Sequence, residues 1–277
     1  MRAITTIWYR EFLNYIRDKA RIISSVVMSV TMLFVFTFAL GEFDTSMLGI
    51  EQIQYLLPGI IATTAFMTSI SNALSVVTDK TDGFMKEFLV SPTKRSNIAV
   101  GKILGSATTA VIQGTIILAI SPFFGMRYTI GMILGIYIAM IAISVTSSSI
   151  GLFLASTAKS AIGFQMQVQM LMMPMMFLSG AYVPIELLPN WIRPVVYINP
   201  VTYAVSAFRN ISINTTNIPN VVLEKMGLVL KIGDFKVTPV VSISIMLIIG
   251  LVFLLLAIRA FKRTSITNKV SLKRGMH

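Results

Sequence analysis

The chain has 277 residues, of which 55% are hydrophobic and only 12% charged, and it carries a formal charge of +12. That balance belongs to a membrane protein rather than a soluble domain. There is no cysteine, and the one histidine is the last residue, so disulfides, thiol chemistry and histidine-based metal or acid–base sites are excluded.

Residues 1–21 form the first element. Ile4, Ile7, Trp8, Phe12, Tyr15 and Ile16 recur on one helical face, Arg10, Asn14 and Arg17 fall on the other, and Glu11 interrupts the apolar stripe. Trp8, Tyr9 and the basic residues suit an interface, so an amphipathic helix lying on the membrane is expected. Anchoring accounts for it; contact with a cytoplasmic partner through Trp8, Phe12 and Ile16 is the functional reading.

Six apolar runs without Asp, Glu, Lys or Arg follow: Ile22–Leu40, Tyr55–Val77, Ile103–Ile120, Ile133–Ala155, Ala161–Val183 and Pro239–Ile258. A hydrocarbon core of roughly 30 Å needs about 20 helical residues, and backbone groups in lipid must be satisfied within the segment. The runs predict six transmembrane helices and an all-α membrane protein. No small-residue cleavage pattern follows Leu40, so the first run reads as a retained span.

The connecting segments carry more individual character. In Thr81–Val90, Phe84 pairs with Phe88 and Met85 with Leu89 at i, i+4, while Lys86 and Glu87 face elsewhere; Ser91-Pro92 then stops the helix. The apolar side of this short helix rests on lipid or enters a groove on a partner protein. The fourth run contains Ser144, Thr146, Ser147, Ser148 and Ser149, small hydroxyl residues that favour close helix packing, with a path-lining role for Ser147 as the alternative. In the fifth, Gln165, Gln169 and Met173 share a face; amides in lipid prefer protein or a wet cavity, and methionine lines varied apolar surfaces. They are expected either to border a substrate path or to pack.

Beyond it, residues 178–209 hold Gly180, Pro184, Pro189, Pro194, Asn199 and Pro200 with interfacial aromatics such as Trp191. Prolines at that density break a spanning helix, so short pieces re-entering the outer leaflet are expected. The tail, 259–277, is basic and suits anionic headgroups. The whole, 1–277, reads as a single transmembrane domain, with an interfacial helix over 1–21 and the six-helix core over 22–258.

With the N-terminus inside, cytoplasmic segments carry 17 basic and 5 acidic residues, and outer segments carry 6 of each. The entire charge excess therefore lies on one side, as the positive-inside rule requires, with both termini cytoplasmic. Nucleic-acid binding has no place in this account.

Two segments resemble a known family, the membrane subunits of type-2 ATP-binding-cassette exporters, the group that includes daunorubicin-exporter and nodulation-factor-exporter permeases. The first is FLSGAYVPIELLPNWIRPVVYINPVTYAVSAFR (Phe177–Arg209), and the second is DGFMKEFLVSPTKRSNIAVGK (Asp82–Lys102). The resemblance implies a permease in a prokaryotic cell membrane that pairs with a second permease subunit, identical or different, and sits on two copies of a cytoplasmic ATPase. ATP and magnesium would be bound by that ATPase, and no cofactor or catalytic residue is expected in this chain. Coupling to it would run through Trp8, Phe12 and Ile16 and through Phe84, Met85, Glu87, Phe88 and Leu89. The outer pieces around Gly180, Pro184, Trp191, Pro194, Asn199 and Pro200 would stand by the exit.

The residues agree on one point independently. Gly101-Lys102 is followed by Ile, and no G-x-x-x-x-G-K-[ST] occurs, so under the exporter reading a separate ATPase polypeptide is required. An ion-coupled transporter or channel is the alternative; it would place ionisable groups at membrane depth, and the six runs hold none. An uncharged, amide- and methionine-bearing interior favours an amphipathic or apolar cargo such as a drug, lipid or glycolipid.

Overall fold

The computed structural model describes residues 2–39, 52–82, 94–182, 185, 188–213, 230–232 and 235–274. Its α-helices are α1 (Arg2–Arg17), α2 (Lys19–Ala39), α3 (Gln52–Asn72), α4 (Leu74–Thr81), α5 (Arg95–Ile120), α6 (Ile130–Thr157), α7 (Ala161–Phe177), α8 (Arg193–Ile198), α9 (Pro200–Ser212) and α10 (Pro239–Arg274). β1 (Lys231–Ile232) pairs antiparallel with β2 (Phe235–Lys236). The protein is a helical membrane bundle. Among the described residues, five stretches are long and apolar enough to cross a membrane: Lys19–Phe38, Ile53–Thr81, Arg95–Phe124, Ile130–Thr157 and Pro239–Ala260.

These five cover the first four expected runs and the last. The fifth run behaves differently. α7 ends at Phe177, and at about 1.5 Å per residue its 17 residues reach only about 25 Å. The stop has a local cause: Gly180 takes φ +77°, a left-handed conformation open to glycine and strained for other residues. Ala161–Val183 is therefore not one continuous helix.

Two further boundaries move. The second run is divided at Ala73 into α3 and α4, and α4 carries on to Thr81, past Asp79 and Lys80. The third starts at Arg95 rather than Ile103, which brings Lys102 inside α5. The expectation that the spanning helices hold no charge is corrected here: Asp79 and Lys102 lie within helices and are buried.

α6 is the centre of the bundle, packed against α3, α5, α9 and α10. Its serine run is a packing seam. The Ser69 hydroxyl on α3 donates to the Ser144 carbonyl (2.6 Å) and bonds the Ser148 hydroxyl (2.6 Å), while Thr146 donates to the Met246 carbonyl on α10 (2.7 Å). Such hydroxyl contacts replace the hydrophobic drive that lipid-facing helices lack. After α7 the prolines start helices rather than interrupt one: Pro194 and Pro200 occupy first turns, where a missing N–H costs nothing.

Candidate functional site

At one end of the bundle α1, α4 and α5 meet. α1 lies lengthwise along α5, in the same direction, because two glycines let it come close. A Cβ on Gly101 would stand 3.0 Å from the Ile7 Cβ, and one on Gly105 would stand 2.5 Å from the Glu11 Cβ. The G-x-x-x-G spacing of Gly101 and Gly105 is the usual small-residue seam for close helices. The Trp8 indole N–H then donates to Thr108 (2.9 Å) and stacks on Phe12, and the Tyr15 hydroxyl donates to the Gln113 side chain. Burial pushes the Tyr15 phenol up to about 12, with Arg21 opposing.

The buried face of α1 is Ile7, Glu11 and Tyr15. It is rotated from the stripe read in the sequence, so that Glu11, apparently a defect, sits at its middle. Ile16, on the other flank, is 45% exposed, and Trp8 and Phe12 are half-buried.

Glu11 faces a charge network. The Lys102 ammonium donates to Glu11 Oε1 (2.6 Å), to Asp79 Oδ2 (2.6 Å) and to the Ser75 hydroxyl (3.1 Å). Arg10 donates to the same Asp79 oxygen (2.6 Å) and reaches Glu11 at 3.4 Å. Two cations and two carboxylates neutralise one another, and the Lys102 side chain is 4% exposed. Partial burial lowers the pKa of Arg10, but the opposing charges of Asp79 and Glu11 outweigh it and the net shift is upward. Charge-assisted bonds of this length, shielded from water, fix three helices to one another.

Nearby, the Lys80 ammonium donates to the carbonyls of Ala155 (2.7 Å) and Ser156 (2.9 Å), capping the last turn of α6. Segment 83–93 joins this end. It leaves α4 about one turn after Asp79 and rejoins α5 about two turns before Lys102. Phe84, Met85, Glu87, Phe88 and Leu89 fall in it and lie outside the described residues.

Gln165, Gln169 and Met173 lie together on the exposed face of α7, uncovered by the other described residues. Ser147 does not join them. It is fully buried in α6 and donates to the Ile143 carbonyl one turn back (2.5 Å).

Towards the other end, the turn after α7 is fastened by a residue the sequence reading passed over. Arg209, 1% exposed, lies 4.0 Å from the Tyr55 ring centre and donates to the Ala181 carbonyl (2.8 Å). Gly180 is buried in that turn. Asn199 donates to the Met175 carbonyl (2.6 Å) and accepts from the Val201 N–H (3.0 Å), so it ties α7 to the start of α9. Pro200 is buried beside it, Trp191 is 77% exposed, Pro194 opens α8, and Pro184 lies outside the described residues.

A family model described as ABC-2 type transporter matches residues 2–213. The inner membrane transport permease YadH of Escherichia coli is 24% identical over 219 residues, which span 78% of this chain and 85% of YadH. The protein of Cyanophora paradoxa provisionally named transport permease ycf38 is 26% identical over 72% of this chain and 70% of its own length. A third relative, Escherichia coli YbhR, provisionally named for multidrug ABC transport, is 29% identical over 54% of this chain and 41% of its own.

Proposed function

The chain belongs to the ABC-2 type transporter family, and from that membership we propose that it is the membrane-spanning permease subunit of an ATP-driven exporter. It crosses the membrane six times, α7 being the fifth crossing, with the charged end and both termini in the cytoplasm. The Pro-rich pieces after α7 re-enter the outer leaflet. Two copies of a separate ATPase, which hold ATP and magnesium, sit below a pair of permease chains, and an amphipathic or apolar molecule leaves between them.

The observation that carries the coupling route is the neutral network of Arg10, Glu11, Asp79 and Lys102. A loop pressed by a partner has to move something, and segment 83–93 is continuous with two helices of the network. Closure of the ATPases pushes the loop, α4 and α5 follow it, and α1 is carried along because it is keyed into α5 by Gly101 and Gly105 and held by ions. α2, joined to α1 at Asp18, then shifts at the side of the path. The half-buried Trp8 and Phe12 and the exposed Ile16 offer the second partner contact on α1.

Phe84 and Phe88 supply the anchors of the loop in the partner's groove. Truncating an interface anchor costs about 2 kcal/mol or more. The variant carrying Phe84→Ala and Phe88→Ala, reconstituted with its ATPase, is expected to insert normally and to lose transport about thirtyfold, the equivalent of that energy. Normal transport by this variant would remove the loop from the coupling path. Ion currents from the purified chain alone, with no ATPase present, would replace the exporter reading with a channel.

The exposed α7 face is the wall of the path. Replacing Gln165 and Gln169 by leucine is expected to change the relative transport of two amphipathic dyes of different polarity by about tenfold, as a lost buried amide contact of about 1.4 kcal/mol would. Unchanged selectivity in assembled complexes would make this face a packing surface.

A further inference from the structure

A groove of about 630 Å³ runs between α6, α7, α8 and α10. Its walls include Leu154, Leu171, Met175, Ile198, Ile249 and Phe253, and its one polar side chain is Asn199. Both ends of that amide are already engaged, by the Met175 carbonyl and the Val201 N–H. The lining holds no charged side chain for a phosphate and no second polar side chain for a sugar or a peptide backbone.

Two of the walls, α6 and α10, are membrane spans, and Ile248 and Val252 beside the groove are exposed. The groove therefore opens on hydrocarbon, and its occupant arrives from the bilayer. On α7 the groove residues and the exposed Gln165, Gln169 and Met173 lie on opposite flanks of the buried stripe Phe164, Val168, Met172 and Met176. Apart from Asn199, Pro174 and Pro200 the walls are Leu, Ile, Met, Phe and Val, without the small residues and cross-helix hydroxyls over which helices approach most closely in lipid. Long flexible walls with no polar demand suit a flexible aliphatic chain, whose many dispersion contacts fill the space.

We infer that this groove is a binding site for one acyl chain of a membrane phospholipid. It fills the corner left where α7 stops short and the chain breaks at Asn199-Pro200, and it holds α7, α8 and α10 in register.

The test compares palmitoyl-oleoyl phosphatidylglycerol with dihexanoyl phosphatidylglycerol, which shares its headgroup, on the purified full-length protein by native mass spectrometry after detergent exchange. The long-chain lipid is expected to stay bound and the short-chain lipid to wash away. Leu171→Phe and Ile249→Phe, which fill the groove, are expected to lower retention of the long-chain lipid about tenfold, as loss of about 1.4 kcal/mol would. Thermal unfolding of the unaltered protein gives a reading that needs no variant: the long-chain lipid raises the melting temperature and the short-chain lipid does not. Equal retention of the two lipids, unchanged retention in both folded variants, or equal melting with either lipid would each overturn the assignment. So would loss of pairing between permease chains in the variants with lipid retention intact, which would seat a second copy in the groove.

Discussion

Replacing Lys102 by methionine is expected to destabilise the protein by about 3–5 kcal/mol, the cost of removing one partner from a buried ion pair. Lys102 is the only cation within 4 Å of both carboxylates besides the half-exposed Arg10 among the described residues, and its ammonium stands 2.6 Å from each. Methionine keeps the length of the side chain and withdraws the charge. Glu11 is then left with Arg10 at 3.4 Å, while Arg10 is already committed to Asp79 at 2.6 Å. A second change separates charge balance from mere packing. Adding Glu11→Gln removes the stranded carboxylate and leaves the neutral Arg10–Asp79 pair, so the double variant should recover most of the loss. Melting of the two single variants and the double variant in detergent makes a double-mutant cycle, and a coupling above about 1 kcal/mol is expected for residues in one network. Additive losses would mean that the four side chains do not act together. Under the coupling route proposed above, the single variant with its ATPase should also hydrolyse ATP with reduced transport.

Gly105→Leu carries the second large effect. Even the first added carbon would meet the Glu11 Cβ at 2.5 Å, and that atom is fixed to the α1 backbone rather than at the end of a flexible chain. α1 has to move away from α5. Overpacking by itself costs about 1–3 kcal/mol, and the displacement also pulls Glu11 from Lys102. The loss should therefore exceed that of Gly131→Leu, where an added Cβ has no neighbour within 4 Å. With the second tryptophan replaced (Trp191→Phe), fluorescence from Trp8 reports the same event: its indole is hydrogen-bonded to Thr108 on α5, and its emission should move as α1 lifts. A Gly105→Leu protein that melts like Gly131→Leu with unchanged Trp8 emission would show that the seam between α1 and α5 does not form.

The spans were legible because crossing a bilayer is a local demand. Every residue of a segment such as 133–155 has to tolerate hydrocarbon, and the composition of that segment alone records it. The stop of α7 was less legible. Pro174, Ser179 and Gly180 signal a helix end, yet the run stays apolar to Val183, so hydropathy carries it past the turn that Gly180 makes. The charged junction was legible only as a set of anomalies. Glu11 spoils an apolar stripe, and Asp79 and Lys102 sit just outside the uncharged runs. Each alone reads as an ordinary residue at a membrane boundary, and no spacing rule links positions 11, 79 and 102. Arg209 was hidden in the same way inside the Pro-rich segment, where its neighbours Tyr55 and Ala181 are far off in the chain.

By itself the sequence determined that this protein is helical and that it lives in a membrane. Those properties follow from the solvation of each segment taken separately. Only the tertiary structure decided that Ser147 is buried in a packing seam while Gln165, Gln169 and Met173 stay on an open face, and that four charges from α1, α4 and α5 close into a neutral cluster. Burial and ion pairing depend on which distant helix comes to lie alongside, and the close approach at Gly101 and Gly105 is what brings Glu11 to Lys102.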